Sequence, residues 1–185
     1  MKNQTLAMAV SCVLLSACGG GGARGLNSLS QFQSLAANPD LQQNQIGSLT
    51  QNTVVDGAAG TANYAGFANL SADSTFYVGN LSVAVDFTND TVGGNMNNFV
   101  EYFSVVASPT NGQSVAGSFT IAGVLNAGQN ESLTDGLSGT ATGTLDGTAI
   151  TYDMDGNITG LDREGVILYF DDQASINGGV GLALR

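Results

Sequence analysis

From Ala58 onward the chain repeats one pattern, in which an apolar side chain alternates with a small or polar one until a turn signal intervenes. Leu81-Ser-Val-Ala-Val-Asp-Phe87, Val115-Ala-Gly-Ser-Phe-Thr-Ile121 and Ile150-Thr-Tyr-Asp-Met154 are its clearest stretches. A period of two belongs to a strand with one buried face and cannot gather its apolar set on one side of a helix. Similar stretches near Ala62 to Leu70, Val100 to Ala107, Leu137 to Leu145, Gly165 to Phe170 and Ile176 to Leu184 bring the count to about eight. Asn89-Asp90, Asn111-Gly112, Asp146-Gly147 and Asp155-Gly156-Asn157 supply residues that tolerate positive φ in tight hairpins. Short connections make sequential strands antiparallel neighbours.

The expected fold is therefore all-β: an antiparallel up-and-down barrel, or a sandwich, over residues 58–185. Glycine is abundant, with 26 residues, and Gly66, Gly79, Gly117, Gly123, Gly139 and Gly143 fall inside strand patterns, where bulges or tight barrel corners use them. One face collects Leu81, Val83, Val85, Phe87, Phe119, Ile121, Tyr152, Met154, Leu168, Phe170, Val180 and Leu182 as a single core. The alternation also fits a small barrel spanning an outer membrane with its apolar face outward. The absence of Trp and the Leu182-Ala-Leu-Arg185 ending, with no terminal aromatic, favour the soluble form.

Residues 1–17 have the parts of an export signal: one cation, Lys2, then an apolar stretch from Leu6 to Leu15, then small residues. The stretch is too short to span a bilayer. It ends Leu15-Ser16-Ala17-Cys18, which resembles the bacterial lipobox, and the resemblance implies cleavage between Ala17 and Cys18 and acylation of Cys18. The same resemblance implies that, with Gly19 rather than Asp after the cysteine, the lipoprotein is carried on to the outer membrane. Because Cys12 leaves with the signal, the mature chain has no second cysteine for an intramolecular disulfide. Several acyl chains on Cys18 would anchor far more firmly than one.

Residues 18–57 are low in charge and rich in Gly, Gln, Asn and Ser, the composition of a linker. As a flexible coil this segment would reach roughly 35 Å r.m.s. from the membrane. Within it Leu26, Leu29, Phe32 and Leu35 recur every three residues ahead of Pro39, which suits a short amphipathic helix. The sequence favours a helix that packs loosely or frays over one that docks on the barrel.

Composition removes several functions. Histidine is absent, which excludes Ser-His-Asp and Cys-His relays and His-ligated zinc. A formal net charge of −11, with no basic run, leaves nothing to engage a phosphate backbone, so nucleic-acid binding is not expected. No cofactor motif or metal-ligand set stands out. Asp153-Met-Asp155-Gly156-Asn157 has fragments of a calcium loop but lacks the required Gly and closing Glu, and a hairpin turn is the better reading. Asp171-Asp172 beside Gln173 offers a weak cation site or, more simply, a solvated loop. Nothing selects a carboxylate pair for glycoside hydrolysis, and the chain is expected not to be an enzyme. Asn69, Asn80, Asn89 and Asn130 begin N-x-Ser/Thr triplets, read here as strand and turn residues.

Four stretches together resemble the small barrel lobe of the transferrin-binding protein B group of surface lipoproteins. They are Gly60-Thr-Ala-Asn-Tyr-Ala-Gly-Phe67; Leu81 to Phe87 with Thr91-Val-Gly-Gly94; Val115 to Gly123; and Phe170-Asp-Asp-Gln-Ala174 with Gly178-Gly179. The family's Gly after the last aromatic is Asp171 here, and the chain holds one barrel without a second lobe. The resemblance implies fold and surface display but carries over no ligand-binding residues. Lipobox, tether and resemblance together favour a displayed barrel that binds a macromolecular partner or nutrient carrier through its hairpin loops, an expectation that deletion of the loop around Asn126 to Leu133 would test. The alternatives are a periplasm-facing, lipocalin-like carrier with a small apolar ligand inside the barrel, and a structural envelope lipoprotein.

Overall fold

Eight strands follow one another in a computed structural model of the chain: β1 (Thr61–Ala72), β2 (Thr75–Asp86), β3 (Thr91–Tyr102), β4 (Gln113–Asn126), β5 (Gly136–Leu145), β6 (Thr148–Thr159), β7 (Gly165–Asp171) and β8 (Gly178–Leu184). They are preceded by a helix, α1 (Ser28–Ala36). The structure describes residues 28–38, 59–72, 75–102, 112–126, 136–159, 163–172 and 178–185. Cys18 and the rest of the leader, most of the expected tether, and residues 127–133 of the expected capture loop lie outside the described residues.

Each strand pairs antiparallel with the next, and β8 returns to β1 through Gly66↔Ala183 and Ala68↔Gly181, closing the barrel in simple up-and-down order. Two connections form as their residues dictate. Asp146 and Gly147 both adopt positive φ, 49° and 78°, the pair that a two-residue hairpin between Leu145 and Thr148 demands. Between β2 and β3, Asp86 Oδ1 accepts from the backbone N–H groups of Thr88 (2.9 Å) and Asn89 (3.2 Å), and Oδ2 from Asn89 Nδ2 (2.8 Å). These bonds hold the Asp86 carboxyl below the usual carboxylate range, the Asn89 side chain contributing most.

Glycine allows the staves to approach closely. At Gly66, Gly117, Gly123, Gly139 and Gly143 a β-carbon would collide with a carbonyl oxygen of the adjacent strand. Gly79 serves differently, facing a bulge in β3 where Asn98 turns to positive φ (54°) and the register shifts between Asn97 and Phe99. The bulge reverses the face of every β3 residue beyond it: Phe99 points inward, while Val100 and Tyr102 join a cluster on the outside.

The interior is filled by side chains. Leu81, Val83, Val85, Phe87, Phe119, Ile121, Tyr152, Met154, Leu168 and Phe170 all belong to it, as the alternation predicts. Phe99, Phe119, Tyr152 and Phe170 form a row across it, with successive ring centroids 5.8, 5.6 and 6.2 Å apart. Val180 and Leu182 do not belong: they face outward beneath α1, and β8 turns Gly181 and Ala183 inward instead. Asp155-Gly156-Asn157 is no turn either. It runs within β6, paired with Ser138, Leu137 and Gly136 of β5, and Gly156 lies buried against Leu168. The stretch expected over Val100 to Ala107 is instead the end of β3, which stops at Tyr102, with residues 103–107 outside the described set.

On the outside, β4, β5 and β6 present Ser118, Thr120, Thr140, Thr142, Thr144, Thr151, Asp153 and Asp155, all exposed. Apolar residues inside and hydroxyls and carboxylates outside are the reverse of a lipid-embedded barrel.

Candidate functional site

An apolar band on β1, β2, β3, β7 and β8 interrupts this polar exterior, and α1 packs across it, while Val124 of β4 and Tyr169 of β7 remain exposed. Leu29 is buried in a cluster with Val78, Val100 and Tyr102, against which Phe32, Phe67 and Phe76 pack. Phe32 and Leu35 also pack on Ile167 and Leu182, together with Val180 and Leu184. The helix therefore crosses from the β2–β3 side over the β1–β8 closure to β7, and it is docked, contrary to the frayed helix that the sequence favours. The reason is physical: nine residues are too few for a stable isolated helix, and packing on an apolar surface supplies what propensity does not.

Beneath the second half of α1 the cover is incomplete. A pocket of about 350 Å³ remains, lined by Phe32 and Ala36 of the helix and by Asn69, Phe76, Ile167 and Leu182 of the barrel. Gly178 and Gly179 line it with backbone alone, and Ser71 ties β1 to β8 there, its Oγ donating to the Gly178 carbonyl (3.1 Å) and accepting from the Gly178 N–H (3.3 Å). The walls are mainly apolar. One polar atom stands out: Asn69 Oδ1 is buried and accepts no hydrogen bond. Asn69, the first residue of one N-x-Ser triplet, thus faces the helix side, whereas Asn80 and Asn89 are exposed; Asn130 lies outside the described residues.

A second pocket, about 290 Å³, lies at one mouth of the barrel between Tyr77, Leu145, Asp146, Thr148, Ile150 and Asp172. Below it the Tyr152 hydroxyl is buried without a hydrogen-bond partner, and burial pushes its pKa up to about 12, with the Asp172 charge and Tyr77 adding to the shift. At the opposite end Arg163, in a positive-φ conformation (61°), lies 5.2 Å above the Phe87 ring, a cation–π contact that caps the core. Tyr64 is raised by burial, against the opposing pull of the Arg185 and Arg163 charges.

The acidic pairs that the sequence singles out do not converge on a site. Asp153 and Asp155 project from the outer face of β6, Asp171 ends β7 directly opposite Asp153, and Asp172 turns to the mouth pocket. Among the described residues no three His, Cys, Asp or Glu come together as metal ligands. Nor, among them, is any helix long and apolar enough to cross a membrane. The chain matches no known family, curated protein or solved structure.

Sequence reasoning missed the pocket, although a signal for it exists. Phe76-Tyr77-Val78 and Val166-Ile167-Leu168 are unbroken apolar triplets, which mark strands covered on both faces. They lie on β2 and β7, two of the strands that α1 covers.

Proposed function

We propose that the chain is a non-enzymatic envelope lipoprotein, anchored in the outer membrane through acylated Cys18, whose barrel is a binding module displayed in the manner of the transferrin-binding protein B-like lobes it resembles. The observation that carries this reading is the polarity of the barrel. Its apolar side chains point inward and its hydroxyls and carboxylates outward, so a separate anchor is needed to keep it at a membrane, and Leu15-Ser-Ala-Cys18 offers one. The packed interior directs binding to the outside, where hairpin loops meet a macromolecular partner or nutrient carrier. It weighs against the alternative of an apolar ligand held within the barrel, since Tyr64, Phe99, Phe119, Met96 and Tyr152 occupy that space. A structural envelope role would involve neither.

Two experiments on intact cells test the proposal. Labelled palmitate should enter the protein and be lost in Cys18→Ala; an unlabelled wild-type chain would refute the anchor. Proteinase K should remove the barrel while a periplasmic marker survives. Full protection would refute surface display. Deleting residues 127–133 should then abolish partner capture and leave the far-UV spectrum unchanged.

A further inference from the structure

We propose that the start of β6, Thr148 to Tyr152, is an open sheet edge that takes an extended, lysine- or arginine-bearing segment of a partner protein as an added strand. β6 runs for 12 residues and β7 for 7, so their pairing stops at Asp153↔Asp171 and β6 continues without β7 to its hairpin. On the other side the same stretch is fully paired with β5, from Leu145↔Thr148 to Ala141↔Tyr152. The two-residue turn makes Leu145 and Thr148 a hydrogen-bonded pair, and the antiparallel ladder alternates from there. Thr148, Ile150 and Tyr152 therefore bond to β5, whereas the N–H and C=O groups of Ala149 and Thr151 point away from it. Among the described residues nothing pairs with Ala149 or Thr151 on that side, and both are exposed. β8 is as short as β7, so the edge borders the mouth pocket of about 290 Å³, which Thr148, Ile150 and Thr151 help to line. Unpaired edge groups are a template for strand addition, in which the backbone supplies affinity and the flanking side chains select the partner.

Charge names the occupant. Asp146 and Asp172 line the pocket with Tyr77, and Asp153 and Asp171 stand exposed where β7 stops. The two cations among the described residues, Arg163 and Arg185, lie at the opposite end of the barrel. An extended strand presents side chains alternately to both faces, so a basic residue meets a carboxylate either way: Asp172 in the mouth, or Asp153 and Asp171 outside. A second copy of this chain would instead set the same carboxylates against one another. The inference goes beyond the anchored-module reading and does not rest on it, since neither lipidation nor residues 127–133 enter.

The test uses the non-acylated, full-length Cys18→Ser chain and two end-capped peptides, Lys-Val-Lys-Val-Lys-Val-Lys and its counterpart with Glu in place of Lys. In the free protein the amides of Ile150 and Tyr152 should exchange slowly and those of Ala149 and Thr151 fast. Saturation with the Lys peptide should slow the second pair about tenfold or more, and at low salt that peptide should bind about tenfold more tightly than the Glu peptide. Thr151→Pro removes an edge-facing donor while sparing the bonds to β5, a position where an edge strand tolerates proline. It should weaken the Lys peptide about fivefold or more, the worth of one net hydrogen bond. Asp146→Asn with Asp172→Asn should narrow the preference for Lys over Glu. Should a variant fail to fold, exchange in the unmutated edge decides. Slow exchange at Ala149 and Thr151 in the free monomer would overturn the proposal, as would equal binding of the two peptides or Lys-peptide binding that leaves these amides unprotected. Protection that rises with protein concentration would give the edge to a second copy and overturn it too.

Discussion

The Phe99 ring lies directly over Gly79, so close that a β-carbon there would sit 2.6 Å from both Cδ1 and Cε1. The bulge at Asn98 and the missing side chain at Gly79 are two halves of one device, which turns Phe99 into the core and Val100 toward the helix. Gly79→Ala should destabilise by about 1–3 kcal/mol through overpacking. Phe99→Ala should cost about 3–5 kcal/mol through the cavity it leaves. The double variant should cost less than their sum, because the methyl then enters vacated space. Urea unfolding of the four proteins measures the coupling, and strict additivity would refute it.

Tyr152 supplies a prediction at alkaline pH. Its folded pKa, about 12, lies above the ordinary value of 10, so the neutral phenol is favoured in the native state. That contribution is complete below about pH 10 and is lost as pH rises through about 12. Tyr152→Phe should flatten the alkaline fall in stability over this window. At pH 7 it should leave the protein equally stable or better by up to about 1 kcal/mol, because the hydroxyl removed is buried and makes no hydrogen bond. Thermal melts from pH 7 to 12 check both, and a clear loss at neutral pH would contradict the second.

Docking of α1 rests on few side chains. Leu29→Asp removes a fully buried one, a loss of about 2–3 kcal/mol of apolar burial. The helix should then open, with chymotrypsin cutting at Phe32 or Leu35 at least tenfold faster and a dye such as anilinonaphthalene sulfonate lighting up on the uncovered Phe76 and Val100. The far-UV strand signal should persist. Unchanged cleavage would mean that the helix does not depend on this contact.

On the outer face of β6 and β7 Asp153 and Asp171 stand directly opposite each other, both exposed. Like charges in facing positions destabilise a sheet, and opposite charges stabilise it. Asp171→Lys should therefore raise stability by about 0.2–1 kcal/mol, with the gain shrinking as salt is added. A stability loss at low salt would refute the pairing argument.

The strand order and most of the core are legible in the sequence because alternation and turn chemistry act locally. Asp146-Gly147 must turn, and Leu81 to Phe87 must present one face. What is not legible depends on partners distant in sequence. Val180 and Leu182 obey the alternation but on the outer face, a choice settled by α1 some 145 residues upstream. Gly156 looks like a turn residue beside Asp155 and Asn157, yet its lack of a side chain is used against Leu168 of β7. The bulge at Asn98 is marked only by an Asn, a type that tolerates positive φ but also occurs in ordinary strand and turn positions of this chain, so the reversal of Val100 and Tyr102 is not legible either. For the candidate site, α1 is legible as amphipathic, while Asn69 becomes notable only once the helix lies across it and Phe76 closes in from the next strand.

The position of α1 also governs how far the module can stand from a surface. With the helix fixed to the staves, α1 and β1 are already held together, so the chain between them adds nothing to standoff. Only the run from Cys18 to Ser28 counts, ten residue steps whose fully drawn length is at most about 35 Å. Were Cys18 held in a bilayer, that average reach of the whole tether would become an absolute ceiling, and the barrel would ride low over the lipid, able to meet only partners that come down to it.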